Sequence, residues 1–369
     1  MKFILSPKVT VILIFLVSIS IFNNSPDQCL NIEYNELNPI SSQTQTLQFN
    51  STNAYNFIGT QLEFGFRIPG AQPHTNCADW IRDQLNDSVD SVITQTFSVQ
   101  ETECQNILGK INDNLSQIFI LGAHWDSRAI ADRDPVVQNR SEPVPGANDG
   151  GSGVAVLLEL ARVLYHNRNE INSQIWLLLL DAEDQGSGGL PGWNWCEGST
   201  EFTSEIDEFY NSSTENITGF LLLDMVGGTD LVFIEETSSS NDMQAAIFNE
   251  GQELGYGTAF PSNPKRMTIT DDHIAFVNIG IPSVDLIINF IDGPWEYHHT
   301  QSDNLDNIDE YSLEITGRTV ESFIYRYLTG DEPPDWEIQD DSLTDVIIIS
   351  VSILALTAIT LYIIYKKTR

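Results

Sequence analysis

Apolar positions along this chain follow two periods. Some runs are continuous or alternate every second residue, as strands do. Others recur every three to four residues, as helices do. Ser88 to Val99 (SVDSVITQTFSV) alternates in part like a strand. Gln117 to Ala123 is a short apolar run, and Gln174 to Leu180 (QIWLLLL) has a continuous apolar centre, the pattern of a strand buried on both faces. Gly219 to Leu223 repeats it, and Ile281 to Ile288 gives a further strand. Between them, Gly151 to His166 (GSGVAVLLELARVLYH) sets apolar residues at helical spacing behind a start of small residues. Asn241 to Leu254 and Asn307 to Tyr327 also read as helices. No internal repeat is visible. The alternation predicts an α/β fold, a single domain with a mixed, mostly parallel central sheet sandwiched by helices. In such sheets ligands bind beyond the carboxyl ends of the strands.

The two ends carry different patterns. Val9 to Phe22 is apolar, with Lys2 and Lys8 before it, so residues 1–25 are expected to be a signal peptide or an N-terminal anchor. Residues 26–51 read as an extended polar lead-in, 52–329 as the folded domain, and 330–345 as an acidic, Pro-containing linker. Residues 346–365 are uncharged over about the 20-residue length that crosses a bilayer. Asp340, Asp341 and Asp345 precede them, and Lys366, Lys367 and Arg369 follow. Basic flanks stay inside. The expectation is a single-pass protein of the cell membrane with a C-terminal transmembrane helix, an extracytoplasmic domain and a cytoplasmic tail at 366–369.

Charge narrows the partners. The chain has 17 basic and 52 acidic residues, a formal charge of −35. That excludes nucleic acid, whose phosphates need Lys and Arg, and docking on anionic lipid. With 41% hydrophobic residues, the acidity does not imply disorder. The cysteines, Cys29, Cys77, Cys104 and Cys196, form no Cys-x-x-Cys metal pattern. In an exported domain, Cys77 with Cys104 is the first disulfide expected. Asn-x-Ser/Thr sites at Asn50, Asn86, Asn114, Asn139, Asn211 and Asn216 fit a glycosylated surface. Oligomeric state is not readable.

Candidate chemistry collects where the strands end. His124 and Asp126 follow the first buried strand, in LGAHWDSR; Asp149 precedes the helix at 151, in GANDGGSG. Asp181, Glu183 and Asp184 follow QIWLLLL, Asp224 follows GFLLL, and His298 and His299 follow the last strand. Carboxylate and imidazole without thiolate suit zinc, and less well manganese or cobalt. His124 and Asp126, two apart on an extended segment, have the spacing of a ligand and the carboxylate that orients it. Glu183 and Asp184 can divide the labour, one binding metal and one moving a proton. One metal needs about three protein ligands; two need about six. The Gly-rich stretch at 150–153 lacks the Lys of a phosphate loop, no EF-hand pattern occurs in the acid-rich 201–215, and no nucleophile elbow appears. Trp193 and Trp195 either line a pocket or anchor their loop. His166 reads as solvated and His273 as structural.

At this point the chain resembles the zinc exopeptidases with co-catalytic metal sites, relatives of the glutaminyl-peptide cyclotransferases. The matching stretches are GAHWDSR, PVPGANDGGSGVAVLLELARVL, LLLLDAEDQG, FLLLDMVG, DDHIAFVNIGIPSVDLI and YHHTQSDNLDNID. GAHWDSR, WCEGS and DDHIAF look closer to the cyclotransferase-like branch. The resemblance implies that Asp149, Asp184 and His299 hold one zinc and that Glu183 is the general acid/base. It implies that His124 and Asp224 hold a second metal in aminopeptidases; in cyclotransferases Asp224 joins a proton network instead. Asp126 matches the carboxylate behind His124. Asp271 and Asp272 resemble an acid motif near the substrate amine, without indicating which acts. Two positions depart from the pattern. His298 stands where that branch often has Trp, so Trp295 or Tyr297 would supply the aromatic wall, and Asp184 stands where many relatives have Glu. The implied activity is conversion of N-terminal Gln to pyroglutamate with release of ammonia, on peptide or protein N-termini. The alternative is a di-zinc aminopeptidase. A third reading, an inactive surface receptor, predicts missing ligands, and none is missing.

Overall fold

Every residue of β4 (Gln174–Leu180) is buried, and that strand shows how the chain layers itself. Ile175, Leu177 and Leu179 enter one hydrophobic core, while Trp176, Leu178 and Leu180 enter another. Successive side chains of a strand point to opposite faces, so a strand apolar at nearly every position must be covered on both. The computed structural model describes residues 46–338. In it, six strands form one sheet in the order β1-β2-β4-β3-β5-β8. These are β1 (Ser91–Val99), β2 (Thr102–Ile111), β3 (Gln117–His124), β4, β5 (Asn216–Asp224) and β8 (Ser283–Ile287). The pairs β4/β3, β3/β5 and β5/β8 are parallel, whereas β1/β2 and β2/β4 are antiparallel. A separate parallel pair joins β6 (Glu235–Glu236) and β7 (Arg266–Met267).

Five helices supply the first core: α1 (Ser51–Phe64), α2 (Gln72–Asn86), α3 (Gly151–His166), α5 (Asn241–Glu253) and α7 (Glu310–Tyr327). The shorter α4 (Glu197–Ser204) and α6 (His273–Asn278) cover the other face through Phe202 and Phe276. The predicted mixed, mostly parallel sheet between helices is what the chain forms. Parallel register aligns the strand ends: His124 pairs with Leu180, and Asp224 with Ile287. From β3 the chain crosses through α3 to β4 on one side, and later reaches β5 on the other. That reversal opens a crevice at the carboxyl ends of β3 and β5.

Packing extends past the expected 52–329 at both ends. Phe49 is buried, and the amides of Gln48 and Phe49 donate to the Glu321 carboxylate at 2.8 and 2.9 Å. Trp336 is buried against Phe323 and Tyr327 of α7. Asn50 spends its side chain as the N-cap of α1.

Two expectations are corrected. Among the described residues no helix is long and apolar enough to cross a membrane. The 18-residue α7, the longest of them, carries Glu310, Glu314, Arg318, Glu321 and Arg326. Residues 346–365, on which the transmembrane helix rested, lie outside the described residues, as do residues 1–25 and Cys29. The C-terminal span, the single-pass cell-membrane placement and the cytoplasmic tail are therefore withdrawn. The disulfide is also withdrawn, because Cys77, Cys104 and Cys196 are all free and buried.

Candidate metal centre

Backbone geometry brings Asp149 to the end of β3. At Gly150 a Cβ would stand 2.3 Å from the His124 carbonyl oxygen and 2.7 Å from its ring. Only glycine lets the start of α3 come so close. Asp149 Oδ1 thereby lies 3.1 Å from His124 Nε2, with Asp224 Oδ1 3.3 Å from the same atom. The amides of Asn148 and Asp149 donate to the buried Asp303 at 2.8 and 3.2 Å. Behind this loop the buried Arg67 donates to the carbonyls of Trp125, Pro145 and Gly146 at 2.8, 3.0 and 2.6 Å. Arg67 and Asp303 gave no signal in the sequence, since their partners lie 58 to 79 and 154 to 155 residues away.

A second turn follows β4. Ala182 takes φ +60°, and the amides of Glu183 and Asp184 then donate to the two oxygens of Asp126 at 3.0 and 3.2 Å. Gln185 adds a third donor at 2.9 Å. Asp126 thus clamps the turn that aims Glu183 and Asp184, while its Oδ1 stands 3.4 Å from His124 Nδ1. Asp181 points elsewhere. It pairs with His74 at 2.8 Å and accepts the Gln105 amide at 2.8 Å. On the far wall, His299 (φ +58°) sets Nε2 3.1 Å from Asp184 Oδ1 and 3.8 Å from Asp149 Oδ2. Its Nδ1 stands 3.4 Å from Asp132. Arg128 holds Asp184 at 3.2 Å and Asp132 at 2.7 Å.

His298 has a different part. Its Nδ1 lies 2.7 Å from Arg133 Nη1. A guanidinium only donates, so Nδ1 accepts and the ring proton sits on Nε2, which faces Asp149 Oδ2 at 3.8 Å. A nitrogen that carries a proton is a poor metal ligand, which makes His299 the better candidate of the two.

Asp149 and Asp184 thus both face His299 Nε2, while His124, Asp149 and Asp224 form one close cluster and Asp149, His298 and His299 another. Asp149 belongs to both. The buried Asp149 Oδ2, Asp184 Oδ2 and Asp224 Oδ1 have no hydrogen-bond donor. Orphaned buried carboxylate oxygens beside imidazoles are what a divalent cation would satisfy, so the residues present fit zinc. A third convergence joins Glu183, Cys196 and Asp271, with Cys196 Sγ 3.5 Å from Glu183 Oε1.

The electrostatics follow from burial among acids. Burial pushes Glu183 well up from the usual carboxylate range, helped by Asp271 and Asp184. Burial and then Asp224 push Asp271 up to about 8; burial and then Asp271 do the same for Asp272. Burial would raise Asp149 too, but the His124 contact outweighs it and holds Asp149 well down. Burial, with the charge of His299 next, drives His298 well down, toward the neutral ring.

Glu183, Asp184, Asp149, Asp224, Asp271 and His299 line one pocket of about 290 Å³. Asp272 lies behind it, fully buried, and accepts the Ser199 hydroxyl at 2.5 Å. The two tryptophans divide. Trp193 packs with Phe97 and Val99, whereas Trp195 lines the pocket and stacks on His299 at 5.9 Å. Trp295 is fully buried, and neither it nor Tyr297 lines the pocket; Trp195 and Phe290 form the aromatic wall. His273 pairs with Glu236 at 3.0 Å, and His166 is exposed.

Comparison with known proteins identifies the family and the fold. The pattern of Peptidase family M28 matches residues 106–324. A solved glutaminyl cyclase of Bacteroides thetaiotaomicron superposes with a TM-score of 0.69 at 32% identity, over 76% of this chain and 98% of that one. A Zn-dependent exopeptidase from Parabacteroides distasonis gives 0.68 at 31% identity, over 76% and 99%. The glutaminyl-peptide cyclotransferase of Boiga irregularis is 24% identical over 252 residues, 60% of this chain and 65% of that protein's length.

Proposed function

Since the chain belongs to peptidase family M28, we propose that it is a zinc enzyme of peptide N-termini that closes an N-terminal Gln into pyroglutamate. The observation that carries this reading is the Gly150 amide, which donates to His124 Nε2 at 3.1 Å. That is the atom a second metal would need. Asp149 Oδ2, which faces His299, has no such donor, and neither has the second oxygen of Asp184, Oδ2. One zinc on Asp149, Asp184 and His299 fits, and the glutaminyl cyclases among the relatives support its use for cyclisation.

When bound, the metal supplies an electrophile for the γ-amide carbonyl. The chain's own residues do the rest. Glu183, held by its backbone on Asp126, accepts a proton from the α-amine as the bond from that nitrogen to Cδ forms. It returns the proton to the amide nitrogen as the Cδ–N bond breaks and ammonia leaves. Asp271, lining the pocket beside Glu183, receives the substrate's amino end, and Asp272 positions it from behind. Asp224 faces His124 and takes part in the proton network.

A second reading has its own observation. Asp224 Oδ1 is buried without a donor, 3.3 Å from His124 Nε2. Two zincs, the second on His124 and Asp224 and both sharing Asp149, would make the chain an aminopeptidase, with Glu183 the base for water. The readings part on metal content and products. We expect one zinc per chain and ammonia from Gln-peptides; two zincs with free leucine from Leu-peptides would establish the aminopeptidase instead. Glu183→Gln should abolish turnover and keep the zinc, checked by activity and metal analysis on one preparation.

A further inference from the structure

The pocket is lopsided in charge. Asp149, Glu183, Asp184, Asp224 and Asp271 line it, and opposite them stands one permanent cation, Arg133. The chain as a whole has three acids for each base, and most of its ordered cations are spent on them. Arg82, Arg128, Arg162, Lys265, Arg266, Arg318 and Arg326 all sit in ion pairs. Arg133 is different. Among the described residues no carboxylate stands within 4.0 Å of it; its side chain meets the neutral ring of His298 at 2.7 Å. Its backbone amide is also tied, to the His299 carbonyl at 3.2 Å. The guanidinium is thus fixed at the pocket on a partner that uses one of its five N–H donors and none of its charge.

We infer that Arg133 recognises a carboxylate of the substrate, downstream of the amino-terminal residue that reacts. The inference rests on the proposed action at peptide N-termini. A planar guanidinium matches a carboxylate with two parallel hydrogen bonds. The carboxylates that line the pocket repel an anion, and Arg133 is the one lining guanidinium or ammonium that attracts it. The side of His298 that meets Arg133 lies away from Asp149, which faces its other nitrogen, while Asp271 gathers with Glu183 and Cys196. Amine and carboxylate of one short peptide are therefore received by different parts of the pocket. The exposed Ile291 and the half-buried Phe290 line the same mouth and reduce the water that would screen the contact. The carboxylate has two possible sources, the C-terminus of a dipeptide or an acidic side chain in a longer peptide.

The test compares kcat/KM of the zinc-loaded full chain on Gln-Ala, Gln-Ala-amide, Gln-Ala-Glu-amide and Gln-Ala-Gln-amide. The first pair reads the C-terminus and the second the side chain. In at least one pair the carboxylate form should be favoured by about tenfold, the worth of one charge-assisted contact. The preference should lie in KM and shrink at 0.5 M NaCl. Arg133→Gln should bring the ratio to about one and Arg133→Lys restore part of it; a role limited to orienting His298 would move no such ratio. Equal kcat/KM within both wild-type pairs, or a preference unchanged in Arg133→Gln, overturns the inference. Should Arg133→Gln not fold, the wild-type ratios and their salt dependence still decide. Calorimetric binding to Glu183→Gln separates this from the function. If no peptide turns over in wild type but the carboxylate form binds more tightly in an Arg133-dependent manner, the proposed reaction fails and the recognition stands.

Discussion

His298 and His299 are adjacent in sequence with rings 3.7 Å apart, yet their surroundings give them opposite tasks. Arg133 fixes the proton of His298 on Nε2. Asp132 stands by Nδ1 of His299 and leaves its Nε2 to face Asp184 and Asp149. His299→Ala should therefore lose zinc, and His298→Ala should keep it while altering substrate affinity. Metal analysis after gel filtration distinguishes the two, and equal loss from both would refute the division. The pair also marks how far single residues could be read from sequence. Glu183, Asp184 and Asp149 were visible because each closes an apolar strand or opens a helix. Which of His298 and His299 faces the centre depended on the resemblance, because the geometric cause, Arg133, lies 165 residues away. Asp271 and Asp272 were likewise inseparable until their exposure to the pocket differed.

Among elements, periodicity was strongest where burial was complete. Sequence reading placed α3 at 151–166 and β4 at 174–180, and both occupy those bounds. It missed β2, whose buried face carries Asn106 and Lys110. Those polar groups are satisfied by the cross-strand Gln95 and the distant Gly198 carbonyl for Asn106, and by the distant Phe209 carbonyl for Lys110. The linkers were less legible still. The segment between β3 and α3 holds its shape through Arg67, which meets three carbonyls there. Arg67→Ala would leave them buried and unsatisfied, and should destabilise the domain by about 3–5 kcal/mol. Chemical denaturation checks this, and zinc affinity should fall with it because Asp149 rides on the same loop. At the opposite end of the domain, Trp336→Ala opens a void beside Phe323 and Tyr327. It should cost about 2–4 kcal/mol with zinc content unchanged in the folded fraction, read by the denaturation midpoint and metal analysis.

For the molecule as a whole, the concentration of buried acids makes the metal-free state sensitive to pH. Asp271, Asp272 and Asp303 are each pushed up to about 8, first by burial and then by neighbouring carboxylates. A carboxyl whose folded pKa exceeds its unfolded value favours the fold while protonated, so this stability is full below about pH 4 and lost as pH rises toward 8. His299, raised to about 9 by Asp184 and Asp132 against the penalty of burial, acts in the same sense above its ordinary value. Asp132 and Asp149, held low, act in the opposite sense, but only below the usual carboxylate range. The metal-free protein should therefore melt at lower temperature at pH 8 than at pH 5, with zinc restoring most of the loss at pH 8. Calorimetric scans at both pH values measure it, and a midpoint that rises with pH would contradict the account.

Because Asp149, Asp184 and His299 arrive from the β3–α3 crossing, the end of β4 and the loop beyond β8, no stretch of the polypeptide owns the centre. If they hold zinc as proposed, a chain broken or mispaired between those points should lose it. On that reading, weighing bound metal against protein mass would count the correctly assembled molecules in a sample, and a proteolytic fragment or an arrested intermediate would be recognised by coming up empty on that balance.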